Sequence, residues 1–147
     1  MIRVSFNRAI LLFSLLLSVA VLTGCASSKT DPEDMKKVGN NTLNIPDMVR
    51  YFEKNKIPID SINLLRADVI HADDALSIRV AGKEIGIYKF NVNIRKQREK
   101  LARIIDDNFV YLVGFKKDVV INGAFIMVGC KDNPKKEILE KAFMSFK

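Results

Sequence analysis

The chain has 147 residues, with 24 Lys and Arg against 17 Asp and Glu, a formal net charge of +7, one histidine, two cysteines and no tryptophan. That length suits one ordinary domain with a single hydrophobic core. The lone His71 excludes a multi-histidine metal centre and confines any histidine-based acid–base chemistry to one place.

Met1 to Arg8 carries Arg3 and Arg8 and no acid, and Ala9 to Leu22 is apolar apart from Ser14 and Ser18. As a helix this apolar run would rise about 21 Å, short of the roughly 30 Å of a hydrocarbon core. A basic start, a short apolar run and small residues after it are the pattern of a secretory signal peptide. The run ends in Leu22-Thr23-Gly24-Cys25, which resembles the lipobox of bacterial lipoproteins: Leu, a small residue, Gly or Ala, then Cys. The resemblance implies that Leu22, Thr23 and Gly24 are read by the processing enzymes, and that the Cys25 thiol receives a diacylglycerol. A type II signal peptidase would then cut before Cys25, making it the acylated first residue of the mature chain. Two or three acyl chains, each buried CH₂ contributing about 0.8 kcal/mol, hold a soluble domain on a membrane where one chain does so only marginally. An uncleaved N-terminal anchor with a chance cysteine is the alternative.

Loss of Arg3 and Arg8 with residues 1–24 lowers the net charge to +5. Such a balance favours anionic lipid head groups or acidic envelope polymers. Export argues against a nucleic-acid partner. Ala26 and Ser27 follow the lipobox cysteine. Under the enterobacterial sorting rule that resembles lipoproteins delivered to the outer membrane, a reading conditional on a host with two membranes. Ala26 to Asn41 is polar and rich in Ser, Pro, Gly and Asn, and reads, with Cys25, as a lipidated, flexible tether over 25–41.

The folded domain is expected over 42–147. Asn44-Ile45-Pro46-Asp47 is a helix start with Pro in the first turn. Met48, Val49 and Phe52 then share a face, up to Lys56-Ile57-Pro58. Ile62 to Ile70 reads as a strand. Leu76, Ile78 and Val80 alternate with polar residues, Ala81-Gly82-Lys83-Glu84 turns the chain, and Ile85 to Phe90 returns, which is a β-hairpin. Arg95 to Asp107 reads as a helix with Leu101, Ile104 and Ile105 inward. Phe109 to Phe115 is a strand, and Asn122-Gly123 between two aliphatic runs predicts a second tight hairpin. Asn133-Pro134 caps a last helix whose stripe is Ile138, Leu139, Ala142, Phe143 and Phe146. The order implies an α+β fold: an antiparallel sheet built from hairpins, with about three helices mainly on one face.

Chemistry is sparse. No serine sits in a Gly-x-Ser-x-Gly elbow and no phosphate loop is present. Asp68, His71, Asp73 and Asp74 lack the spacing of a calcium loop and read as a turn. Cys130 ends the apolar run Phe125 to Gly129 and reads as a buried thiol, the alternative being a reactive one that pairs with another molecule. Asp106 and Asp107, adjacent on a helix, diverge by about 100° and make a poor acid–base pair. Arg95, Lys96, Arg98, Lys100 and Arg103 form a basic helix that meets an anionic surface if they share a face, the alternative being a solvated face with local ion pairs. No metal and no cofactor is expected. The expected function is a non-catalytic binding module of the bacterial envelope, anchored in membrane lipid through acylated Cys25 and contacting another envelope protein or an anionic polymer. A small envelope hydrolase and a solute-binding lipoprotein are the alternatives, the latter disfavoured by size. A flat face with exposed Tyr51, Tyr88 or Tyr111 would favour protein binding.

Overall fold

The computed structural model describes residues 29–147; the expected signal peptide over 1–24 and the lipobox-like Leu22 to Cys25 lie outside the described residues. The fold is α+β: a six-stranded, wholly antiparallel sheet and three helices. The strands are β1 (Ser61–Leu64), β2 (Asp74–Val80), β3 (Lys83–Lys89), β4 (Phe109–Leu112), β5 (Phe115–Asn122) and β6 (Phe125–Val128), in the order β1-β2-β3-β6-β5-β4. The helices are α1 (Ile45–Lys54), α2 (Arg95–Asp107) and α3 (Lys136–Ser145).

α1 begins where the sequence places it. The Asn44 side chain accepts from the Asp47 N–H at 2.8 Å, and the Asp47 carboxylate accepts from the Asn44 N–H at 3.0 Å. This reciprocal box satisfies two of the N–H groups that a helix start leaves unpaired. Ile45, Met48, Val49 and Phe52 are buried, on one face. α3 buries Leu139, Ala142 and Phe143 and leaves Ile138 exposed. Its start differs from the Asn133-Pro134 cap that was expected. Asn133 is buried two residues upstream of the Lys135 N-cap, with its Nδ2 donating to the Val80 carbonyl at 2.8 Å and its Oδ1 accepting from the Lys135 N–H. The asparagine ties the helix approach to the end of β2 instead of capping the helix.

α1 and α3 meet each other through Tyr51 and Phe146, and Phe146 packs edge-on against Phe125 of β6. α2 contacts β4 and the 3-10 turn Asp34–Lys37. All four residues of β6 are buried, so both faces of the central sheet are covered.

Each hairpin turns on a positive φ. Ala81 and Gly82 (φ 49° and 73°) join β2 to β3, the conformation that matches the twist of the strands. Between β5 and β6 the register pairs Asn122 with Phe125, so the loop is Gly123-Ala124 and not Asn122-Gly123. Asn122 is engaged elsewhere: its Nδ2 donates to the carbonyls of Phe143 and Phe146 at 2.6 and 2.7 Å, closing the C-terminus of α3. Gly123 has φ 59°, and a Cβ there would lie 2.3 Å from the Asn40 Oδ1. Phe109 to Phe115 is not one strand, because Val113 and Gly114 (φ 50° and 81°) turn the chain after Leu112. Ile62 to Ile70 likewise divides into β1, whose four residues are all exposed, and a 3-10 turn over Asp68–Ile70.

The flexible tether expected to reach Asn41 is corrected over residues 30–41, which are built into the domain. Thr30 donates its N–H to Asp106 at 2.8 Å, and Met35 and Val38 pack against the core. Asn40 is 5% exposed. It accepts from the buried Ala124 N–H at 2.9 Å and donates to the Asn122 carbonyl at 3.0 Å. Asn41 accepts from the Val92 N–H at 3.1 Å. Polar composition marked a linker, but these asparagines pair backbone groups at the ends of strands, where no strand partner remains.

Candidate functional site

The basic helix does not present its charges together. Arg98 is 4% exposed, so it is withdrawn as an anionic-surface contact. Its guanidinium donates to the Val92 carbonyl at 2.7 Å and to the Glu33 carboxylate at 2.8 Å. Lys36, and then Arg98, hold the Glu33 carboxyl below its ordinary range. Arg98 therefore pins the N-terminal segment to α2, a structural use of a buried charge that stays tolerable only while it is paired. Arg95 pairs with Glu99 at 2.7 Å, and the Arg103 Nε donates to the Glu99 carbonyl. Arg95, Lys96 and Arg103 are exposed and Lys100 is half-buried.

The residues with catalytic potential lie apart. His71 is exposed and left-handed (φ 60°), in the loop before β2. The register places the start of β2 level with Lys89 and Phe125, whereas Gly129, beside Cys130, meets the Glu84 carbonyl. Five residues of strand, about 17 Å, separate those levels. Among the described residues, no three of His, Cys, Asp and Glu converge as a metal site. Cys130 is 2% exposed, and burial, then the nearby Glu140 carboxylate, push its thiol up to about 11. A thiol with that value is protonated at neutral pH and a poor nucleophile. In the folded state Cys130 should thus react very slowly with a thiol reagent at pH 8, and promptly after denaturation in guanidinium; equal rates would contradict its burial. The linkage has one sign: the raised value weakens the fold only as pH climbs from the unfolded thiol's 9.0 towards about 11.

The surface that stands out is the β4–β5 hairpin. β6 pairs with β5 only over Val119 to Asn122, so among the described residues Phe115 to Asp118 have β4 as their only strand neighbour. At the end of this two-stranded ribbon Tyr111, Val113 and Phe115 are 61%, 86% and 68% exposed. Paired residues share a face: Tyr111 lies opposite Lys116, and Phe115 opposite Leu112. The apolar end is thus aromatic on both faces, with Val113 at the apex. Lys116 stands level with Tyr111 on one face, and Lys117 one step further from the turn, level with the buried Val110, on the other. Lys116 sits 4.1 Å from the Phe109 ring centroid, and Phe109 meets Tyr111 edge-on at 5.4 Å. Lys116, Lys117, Gly129 and Lys131, with Asp118 and Asp132, line a shallow depression of about 260 Å³ at the foot of the ribbon. Lys131 pairs with Asp118 at 2.6 Å and holds its carboxyl below the usual range.

Of the three tyrosines singled out in the sequence, Tyr88 is buried and Tyr51 half-buried against Phe146, while Tyr111 is exposed on the ribbon. Lys116 and Lys117 were legible as one basic pair among several. Their place behind an apolar apex was not, because the turn at Val113-Gly114 was hidden inside an apparent strand. No protein-family model, no curated protein and no solved structure matches this chain, so its own residues carry the functional reading.

Proposed function

We propose that this protein is a lipoprotein held by acylated Cys25 on the extracytoplasmic face of a bacterial membrane, where it acts as a non-catalytic interaction module. The observation that carries the reading is the run from signal to fold. A lipobox-like Leu22-Thr23-Gly24-Cys25 is followed, five residues after the cysteine, by a chain already docked through Thr30 on Asp106. Five residues span at most about 17 Å. In this reading Thr30, and with it the end of α2, stands within that distance of the anchor. A protonated Cys130 thiol and a His71 remote from it favour a contact surface over a hydrolytic site. Among the described residues, no helix is long and apolar enough to cross a membrane.

Growth with labelled fatty acid tests the anchor. The wild-type chain should incorporate the label and fractionate with membranes; Cys25→Ser should lose the label and remain at its uncut length. Label retained by Cys25→Ser would contradict the assignment.

A further inference from the structure

We propose that the β4–β5 hairpin enters the interface of the same bilayer that holds Cys25. Tyr111, Val113 and Phe115 would sit among the acyl chains and head groups, and Lys116 and Lys117 would meet anionic phosphates. This rests on the lipoprotein reading, and three observations carry it beyond that reading. The first is amphipathy along the ribbon axis. Val113 at the apex is flanked by Tyr111 on one face and Phe115 on the other, with Lys116 level with Tyr111 and Lys117 one step further back, and the next acid, Asp118, is already paired with Lys131. A protein groove takes an apolar stripe on one face. An apex with an exposed aromatic on each face and lysines beside and just behind them matches a planar interface with aromatic rings at head-group level and cations on anionic lipid.

The second observation is position. Thr30 docks on Asp106, three residues before β4 departs from the end of α2. The ribbon extends about 13 Å over its four strand residues, and the anchor reaches at most about 17 Å from the same corner. Anchor and hairpin thus leave the domain from one corner, with comparable reach. Arg95 and Lys96, at the other end of α2, lie about 16 Å back along the helix. The third is the ribbon itself. Val110 and Leu112 hold its base against the core, while among the described residues its tip has no third strand, and Val113 there holds a left-handed φ that a β-branched residue rarely adopts. Val113 is 86% exposed, so burial among the described residues does not account for an aliphatic residue at the apex.

The chain has no tryptophan, so one introduced indole reports a single position. The full chain, processed and lipidated, is reconstituted in vesicles of phosphatidylcholine and phosphatidylglycerol with brominated acyl chains. Phe115→Trp, and Tyr111→Trp from the other face, should emit at shorter wavelength than the same variants unfolded in guanidinium, and should lose most of their intensity to bromine. Ile94→Trp, at the far end of α2, should keep its intensity. Adding Lys116→Glu and Lys117→Glu to Phe115→Trp should restore most of the emission. If the indole of Phe115→Trp is as insensitive to bromine as that of Ile94→Trp, the proposal is overturned. Short-wavelength emission that bromine does not quench overturns it too, because the hairpin would then lie against protein. Mass measurement of Cys25 in the same samples separates the two readings. A lipidated Phe115→Trp chain with an unquenched indole keeps the anchor and removes the hairpin; an unlipidated chain with a quenched indole does the reverse.

Discussion

Phe143→Ala should lower the unfolding free energy by about 3–5 kcal/mol, the range for a buried phenylalanine truncated in a core that only partly collapses. Phe143 is wholly buried in α3, and its carbonyl accepts from Asn122. The amphipathic last helix has two alternative uses, docking in a partner's groove or lying on a membrane surface. Denaturant titration of the purified chain distinguishes core packing from both. A lower midpoint with unchanged slope is expected; an unchanged midpoint would free the helix from the core and make its stripe an interface.

Asn40→Ala should destabilise the domain by about 2–4 kcal/mol, through the unmade bonds rather than lost volume. The substitution strips the buried Ala124 N–H and the Asn122 carbonyl of partners at the β5–β6 turn. It also releases the segment that joins the domain to Cys25. Thermal melting measures the loss, and hydrogen exchange of the Ala124 amide locates it. Exchange as slow as in the wild type would mean that Asn40 does not hold the turn.

The contrast between these two residues shows which parts of the fold were readable in sequence. Phe143 belongs to an apolar stripe at helical spacing, a repeating signal that burial must answer. The hairpin through Ala81-Gly82 was readable for a similar reason, since alternation on both sides of a glycine leaves few registers. Asn40 carries no periodic signal. Its composition is that of a linker, and its partners stand more than eighty residues away in sequence. Arg98 misleads in the same way: among Arg95, Lys96 and Lys100 it reads as solvated, and only the fold reveals carbonyls and Glu33 around it. Val113-Gly114 failed for a different reason, because an aliphatic residue before glycine looks like strand until its φ is known. The apolar, lysine-backed hairpin depends on that turn, so the candidate site emerged with the fold. The lipobox-like stretch, in contrast, is a linear motif, legible without any tertiary structure.

Mass spectrometry of the N-terminal peptide, taken from protein extracted from its native membrane, decides whether the chain is lipid-anchored. The expected peptide begins at Cys25 and carries a diacylglycerol on sulfur, with or without an acyl group on the new amine. A chain that begins at Met1, or an unmodified Cys25 thiol in the membrane-bound protein, would contradict that anchor.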